Sequence, residues 1–188
     1  AHNNLGILLQ ELGRLDEAEA SYRQVITLKP DYAEAHNNLG IILQELGRLD
    51  EAEISLRQAI TLKPGFAEAH YNLGVILQEL RRLKEAEISY RQAIKLKPAY
   101  EEAHNNLGVI LQELRRLKEA EVSYRQAITL KPDDAKAYNN LGNALKELDR
   151  LDEAGTSLRQ AITLKPDFTE AHNNLGILLQ ELGRLDEA

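Results

Sequence analysis

Proline recurs at a fixed interval, and this spacing constrains the fold more than any other feature of the chain. The five prolines stand at positions 30, 64, 98, 132 and 166, so each step is 34 residues. Glycine keeps the same step at positions 6, 40, 74, 108, 142 and 176. A period of this length and regularity predicts an array of helical units in which each copy packs on its neighbours.

Each period contains two patterns of apolar residues with helical spacing. In residues 33–66 the first pattern consists of Leu39, Ile42, Leu43 and Leu46, and the second of Ala52, Leu56, Ala59, Ile60 and Leu62. Gly47 or a neighbour breaks the first helix, and Asp50 is predicted to precede the second, because a carboxylate accepts hydrogen bonds from the free N–H groups of a helix start. Pro64 then ends the second helix, since the residue before proline is pushed away from helical angles.

The period divides the chain into a single array. The predicted divisions are a partial repeat over 1–32, full repeats over 33–66, 67–100, 101–134 and 135–168, and a partial repeat over 169–188. The same eighteen letters, AHNNLGILLQELGRLDEA, occupy residues 1–18 and 171–188. The chain begins inside a first helix and stops where a second helix should start, so we expect an excerpt of a longer array. Head-to-tail self-association is then also expected, since such contacts do not close and yield filaments or columns.

The residues at fixed positions resemble the tetratricopeptide repeat signature over the whole chain. In the second repeat they are Leu39, Gly40, Leu43, Gly47, Ala52, Leu56, Ala59 and Pro64. The resemblance implies an all-α fold, a right-handed superhelical solenoid of antiparallel helix pairs whose first helices line the concave face. Independently of it, the small Gly40 and Ala52 are expected to let the two helices of a repeat approach closely.

Three repeats depart from the pattern at the turn and in the second helix. Arg81, Arg115 and Asp149 replace the turn glycine of repeats three, four and five. Repeat five also has Gly155 inside its second helix, which costs about 1 kcal/mol relative to alanine. We therefore expect repeat five to be the least stable full repeat.

Composition excludes several classes of function. The chain has 188 residues, a net charge of −7 and no cysteine, which argues against a nucleic-acid binder and excludes disulfides and thiolate sites. No apolar run is long enough for a membrane span, so no membrane partner is expected.

The sequence contains no nucleophile–base set, phosphate loop or paired acid typical of an enzyme, and no cofactor is implied. Each first helix supplies at most one histidine without a convergent third ligand, so packing is favoured over a metal site. The compartment is left open, with the cytoplasm favoured.

Asparagine recurs at one helical position in every repeat, although it is a mediocre helix former. The six residues are Asn4, Asn38, Asn72, Asn106, Asn140 and Asn174. An asparagine amide offers a donor and an acceptor together, which matches a backbone amide. Adjacent helices pack ~8–10 Å apart and an extended peptide advances ~3.3 Å per residue, so each asparagine could meet about every third residue of a peptide.

This arrangement resembles the asparagine ladder in the tetratricopeptide superhelix of O-linked N-acetylglucosamine transferases, where such asparagines hold the backbone of a bound protein. The resemblance implies a protein-binding scaffold rather than an enzyme. Its candidate peptide-binding residues are the six asparagines together with Asn37, Asn105, Asn139, Glu34, Glu68 and Glu102. The glutamates favour an extended partner that is neutral or basic, and they argue against the cationic carboxylate clamp of chaperone-binding repeats.

Three alternatives stay open at this point. The asparagines could instead bond the neighbouring repeat and fix the stacking, a role that can coexist with ligand binding. The chain could be a structural array whose main function is self-assembly. It could also be the substrate-recruiting region of a larger enzyme, such as an O-linked glycosyltransferase.

Overall fold

The computed structural model describes residues 2–183, and this part of the chain forms eleven α-helices and no β-strand. The helices are α1 (His2–Glu11), α2 (Leu15–Leu28), α3 (Ala33–Glu45), α4 (Leu49–Leu62), α5 (Ala67–Glu79), α6 (Leu83–Leu96), α7 (Glu101–Glu113), α8 (Leu117–Leu130), α9 (Ala135–Glu147), α10 (Leu151–Leu164) and α11 (Thr169–Glu181). Within residues 2–183, no helix combines the length and the apolar character needed to cross a bilayer. The second helix expected near the end of the sequence falls on residues 184–188, outside the described part.

The turn between the two helices of a repeat is closed by backbone hydrogen bonds. After α3, the N–H of Gly47 donates to the carbonyl of Gln44 at 2.8 Å, and the N–H of Arg48 donates to the carbonyl of Leu43 at 2.8 Å. These two bonds form a Schellman motif, in which the residue after the helix adopts a left-handed conformation. Gly47 does so with φ of 75°, which glycine tolerates without steric cost.

The second helix of the repeat begins two residues earlier than the sequence pattern indicated. Arg48 is the N-cap of α4 and makes no side-chain cap bond, and Asp50 lies inside the first turn. The prediction that Asp50 precedes this helix is therefore wrong. The physical reason is the Schellman bond of the Arg48 N–H, which closes the turn and returns the chain to helical geometry at Leu49.

A glycine in the first helix, which has no side chain, allows the two helices of a repeat to pack closely. A Cβ atom at Gly40 would lie 2.6 Å from Leu56 Cγ and 3.3 Å from the carbonyl oxygen of Ala52. At Gly74 the corresponding neighbour is the ring of Tyr90, again at 2.6 Å. No side chain fits in that space, so a glycine is required where the first helix crosses the second.

The chain divides into two compact units, Ala1–Pro98 and Ala99–Ala188. In the first unit, α3 packs against α2, α4 and α5. In the second unit, α9 packs against α8, α10 and α11. Within each unit, therefore, the first helix of a repeat contacts the first helix of the next repeat, and their side chains form one continuous surface.

Candidate functional site

The candidate site is the surface of the first helices that carries the recurring asparagines. We call it the first-helix face and define it by the positions of Asn38, Ile41, Gln44 and Glu45 in each repeat. These positions are three or four residues apart and so share one side of a helix. In the first unit they recur as Asn4, Asn38 and Asn72, as Ile7, Ile41 and Val75, as Gln10, Gln44 and Gln78, and as Glu11, Glu45 and Glu79.

The asparagine that precedes Asn38 joins successive first helices. Asn37 is only 5 % exposed. Its Oδ1 accepts a hydrogen bond from Asn72 Nδ2 at 2.9 Å, and its own Nδ2 donates to Asn38 Oδ1 at 3.3 Å. Both polar atoms of a buried amide are thereby satisfied. Asn37 is thus a buried link between α3 and α5.

The second unit repeats this bond. Asn140 Nδ2 donates to Asn105 Oδ1 at 3.1 Å, and Asn174 Nδ2 donates to Asn139 Oδ1 at 2.9 Å. Asn139 is 1 % exposed and donates in turn to Glu170 Oε1 at 2.9 Å. The same acceptor position therefore serves as a link between repeats in both units.

Asn72 and Asn140 each use only part of their hydrogen-bonding capacity in this link. A side-chain amide has two N–H donors and one carbonyl acceptor. In Asn72 and Asn140 the bond to the preceding repeat uses one N–H of a half-buried side chain. The Oδ1 and the second N–H of each amide take no part in this bond.

The predicted site residues differ in how far they are exposed. Asn4, Glu68 and Glu102 are exposed, while Asn37 and Asn139 are buried. The half-buried members are Asn38, Asn72, Asn105, Asn106, Asn140, Asn174 and Glu34. Within each unit the structure brings the asparagines together in a row, so the row and not the individual residue is the recognisable feature.

The glutamates at the start of the first helices form ion pairs within their own repeats. Lys63 Nζ lies 2.7 Å from Glu34 Oε1, and Lys97 Nζ lies 3.6 Å from Glu68 Oε1. The hydrogen bond from Lys63 lowers the pKa of the Glu34 carboxyl and, reciprocally, raises the pKa of Lys63. The charges of these two carboxylates are therefore partly offset by lysines of the same repeat.

A second row of hydrogen bonds runs along the other end of the first-helix face. Gln10 Nε2 donates to Glu45 Oε1 at 2.8 Å, and Gln44 Nε2 donates to Glu79 Oε1 at 2.6 Å. The sequence analysis did not predict these bonds between repeats. The available signal was the constant separation of 35 residues between each glutamine and the glutamate of the next repeat.

Buried tyrosines hold two of these glutamines in place. The hydroxyl of Tyr90 donates to Gln78 Oε1 at 3.0 Å, and the hydroxyl of Tyr124 donates to Gln112 Oε1 at 3.0 Å. Because the carbonyl of Gln112 faces the core, its Nε2 points along the face and donates to Glu147. Burial raises the pKa of Tyr124, which keeps its hydroxyl protonated as a donor.

Aliphatic side chains lie between the two polar rows. In the first unit they are Ile7, which is 41 % exposed, and the half-buried Ile41 and Val75. In the second unit the corresponding residues are Val109, Asn143 and Ile177. The face of the first unit therefore presents an uninterrupted aliphatic strip between hydrogen-bonding borders, whereas an amide interrupts the strip in the second.

The second helices carry a different network, which has a structural role. Glu19 accepts from Arg23 at 2.8 Å and from Arg48 of the next repeat at 2.7 Å, and its side chain is only 13 % exposed. Glu53 repeats the arrangement with Arg57 and Arg82. These ion pairs clamp successive second helices and place no free charge on the first-helix face.

The histidines pack at the helix starts. The Nε2 atoms of His36, His70 and His172 lie 2.9, 3.0 and 2.9 Å from the carbonyl oxygens of Pro30, Pro64 and Pro166. The side chain of His2 lies outside the described part. In residues 2–183 no group of three or more potential ligands is arranged to hold a metal ion.

A protein family matches the whole chain. The family of the cilia and flagella-associated protein 70 C-terminal domain, a tetratricopeptide-repeat domain, matches residues 1–188. No curated protein matches the sequence.

Many solved structures share the architecture. The crystal structure of MamA superposes with a TM-score of 0.79 at 26 % identity, covering 86 % of this chain and 94 % of that one. YrrB, a TPR protein with an unusual peptide-binding site, gives a TM-score of 0.77 at 24 % identity, covering 92 % and 89 %. PilW, a type IV pilus biogenesis factor, gives 0.89 at 21 % identity, covering 98 % and 86 %. The fold is therefore the all-α helical-repeat fold of tetratricopeptide proteins, as the sequence predicted.

Proposed function

Because the chain belongs to the tetratricopeptide-repeat family of the cilia and flagella-associated protein 70 C-terminal domain, we propose that it is a protein-interaction scaffold. It holds an extended segment of a partner protein on its first-helix face and acts by binding rather than by catalysis. YrrB at 24 % identity supports the fold alone. The peptide-binding proposal therefore depends on the contacts of the first-helix face itself.

One observation carries the proposal: Asn72 and Asn140 of the asparagine row each use a single N–H of the side-chain amide to link the repeats. Asn72 donates one N–H to Asn37, and Asn140 donates one to Asn105. The remaining N–H and Oδ1 of each amide match the C=O and N–H of one peptide unit. A partner held through its backbone is recognised with little dependence on its side chains, so the proposed partner is an extended segment of broad sequence.

Charge refines the choice of partner. Glu68 and Glu102 are exposed and the chain carries a net charge of −7. Lys63 and Lys97 offset part of this charge by pairing with Glu34 and Glu68. Neutral or basic segments are therefore favoured over acidic ones, with a modest preference that weakens as salt screens the exposed charges.

The test replaces the asparagines by alanine and measures the binding of fluorescent peptides drawn from an array. Each lost hydrogen bond costs about 0.5–1.5 kcal/mol, so replacing Asn38, Asn72, Asn106 and Asn140 together weakens binding by roughly 30-fold or more. Unchanged affinity in this variant would overturn the proposal.

A matched variant separates ligand binding from stacking. Asn37→Ala removes the acceptor of the Asn72 bond but leaves the ligand-facing amide of Asn72 in place. We expect it to lower the thermal stability and to preserve peptide affinity. If Asn37→Ala weakens peptide binding as strongly as Asn72→Ala does, the asparagines serve only to stack the repeats.

A further inference from the structure

Three rows of the first-helix face recur together in the first unit. Along α3, the positions of Asn38, Ile41 and Gln44 are three residues apart, which corresponds to about 4.5 Å between rows at 1.5 Å per residue. Asn72, Val75 and Gln78 repeat the set on α5. A ligand that crosses the helices over the aliphatic strip therefore has amide groups within reach on both sides.

The distance between successive sets is fixed by contacts at both borders. Asn72 bonds to Asn37 at one border, and Gln44 bonds to Glu79 at the other. These bonds keep α3 and α5 side by side, and packed helices lie ~8–10 Å apart. The ligand thus meets the same three side-chain types once every ~8–10 Å.

The backbone conformation of the ligand determines whether its own groups recur at that distance. A polyproline II helix has three residues per turn and a rise of 3.1 Å, so the same face returns after ~9.3 Å. In a β-strand, side chains alternate with a period of two, so residues three apart point to opposite sides. Of these two extended conformations, polyproline II presents one side chain and one carbonyl in the same orientation to each repeat.

We propose that the segment held by the first unit is a polyproline II helix with an apolar side chain at every third residue. Those side chains lie on Ile7, Ile41 and Val75, and the peptide carbonyls accept hydrogen bonds from Asn4, Asn38 and Asn72. Polyproline II has no internal hydrogen bonds, so its backbone groups are available to the asparagines. This inference rests on the proposed function and adds the conformation and side-chain period of the ligand.

The exposure of the strip supports an apolar contact at each third residue. Ile7 is 41 % exposed, and Ile41 and Val75 are half-buried. Covering an exposed aliphatic surface is favourable in proportion to the area removed from water. A preformed polyproline II segment also loses little conformational entropy when it binds, which lowers the cost of ordering the ligand.

The experiment compares two labelled peptides of identical composition, each built from three leucines, three prolines and three glutamines. One peptide spaces its leucines three residues apart, and the other spaces the same leucines two residues apart, with the remaining residues at its ends. Fluorescence anisotropy with the full chain is expected to show that the first binds at least roughly tenfold more tightly. Equal affinities, or tighter binding of the alternating peptide, would overturn the inference.

Two variants of the chain test whether the preference for leucine at every third residue depends on the aliphatic strip. Ile41→Asn introduces the amide that position 143 carries in repeat five, and it should remove most of the preference for the period of three. Ile54→Asn is the matched control, because Ile54 is 69 % exposed on the second helix α4, away from the first-helix face. A preference that survives Ile41→Asn, or that is lost equally in Ile54→Asn, contradicts the inference.

The asparagine variants separate this inference from the function on which it rests. If the alternating peptide binds well and Asn38→Ala with Asn72→Ala abolishes that binding, the polyproline II inference fails while the proposed function stands. If neither peptide binds the unmodified chain, both fail.

Discussion

Repeat two (residues 33–66) and repeat five (residues 135–168) have the same architecture and different surfaces. A Cβ atom at Gly40 would lie 2.6 Å from Leu56 Cγ, and one at Gly142 would lie 2.7 Å from Leu158 Cγ. The helices that these contacts join have equal lengths in the two repeats. The close approach of the two helices is therefore common to both repeats, and differences between them must lie in the turns, the caps and the exposed faces.

On the first-helix face the two repeats differ at successive turns. Ile41 of repeat two is replaced by Asn143 in repeat five. The hydrogen bond from the uncharged amide of Gln44 to Glu79 is replaced by an ion pair between Lys146 and Glu181 at 2.7 Å. The network between repeats is kept in both cases, but the chemical character of the face changes from aliphatic to polar.

The helix starts and turns differ as well. Asp134 takes the N-cap position of α9, where its side chain accepts from the backbone N–H of Lys136 at 2.9 Å, whereas Tyr32 caps α3 without a side-chain bond. Asp149 adopts φ of 61° in the turn, where Gly47 has 75°. The first helix of repeat five is thus stabilised by a side-chain cap, whereas its turn is destabilised by a non-glycine residue at positive φ. The two repeats therefore differ in which parts of the same backbone are stabilised.

The largest expected effect tests what the two repeats share. Gly40→Ala and Gly142→Ala each place a methyl group against a leucine and should destabilise the protein by about 1–3 kcal/mol. Gly65→Ala is the matched control, because no atom lies within 4 Å of a Cβ there. Urea denaturation measures all three variants. Equal stability of Gly40→Ala and Gly65→Ala would show that the close approach is not required.

The second prediction exchanges the turn residues. Gly47→Asp should destabilise repeat two and Asp149→Gly should stabilise repeat five, each by about 1 kcal/mol, because a non-glycine residue is disfavoured at positive φ. Thermal unfolding of each single variant shows whether its melting temperature falls, as expected for Gly47→Asp, or rises, as expected for Asp149→Gly. A double variant carrying both changes should be close to neutral, since the two sites are far apart in the chain. If both single variants were stabilised, or both destabilised, the explanation by backbone strain at positive φ would be contradicted.

The third prediction addresses the glycine within α10. A Cβ at Gly155 would lie 3.3 Å from Arg159 Nη1 and 3.5 Å from Leu178 Cδ2. The nearer atom is the flexible end of a side chain that can move, so Gly155→Ala should gain about 0.5–1 kcal/mol of helix stability. Hydrogen exchange should slow within α10 first. A loss of stability in this variant would mean that Arg159 cannot move.

Much of the fold follows from the sequence because its signals are local. The end of α4 at Leu62 follows from the proline two residues later, and the turn after α3 follows from Gly47. The predicted start of α4 is two residues late, because Asp50 is a good capping residue by type. The cap is set instead by the backbone bond of Arg48, which depends on how the turn closes.

The site was less predictable, because it depends on packing between repeats. Asn37 and Asn38 are adjacent in a polar run, yet one is 5 % exposed and the other half-buried. Only the position of α5 relative to α3 makes Asn37 an acceptor for Asn72. The periodicity of the sequence identifies the residues of the first-helix face. Their hydrogen bonds become visible only when the position of the neighbouring helix is known.

The smallest expected effect concerns charge at the start of the first helix. Glu34 pairs with Lys63 in repeat two, while the corresponding position in repeat five is Lys136. The hydrogen bond from Lys63 lowers the pKa of Glu34, so the pair stabilises the protein above the ordinary carboxyl pKa and loses this contribution as the pH falls through the lowered value. Lys136→Glu should create the same pair with Lys165 in repeat five.

An exposed pair of this kind contributes ~0.2–1 kcal/mol, and a carboxylate is also favoured in the first turn of a helix by the helix dipole. We therefore expect Lys136→Glu to raise the stability slightly at neutral pH and to have no stabilising effect at a pH low enough to protonate the paired carboxyl. Glu34→Lys should do the reverse. Urea denaturation at the two pH values, with NMR titration of the introduced carboxyl, measures both. A gain from Lys136→Glu of equal size at both pH values would mean that helix propensity, and not the ion pair, distinguishes the two repeats at this position.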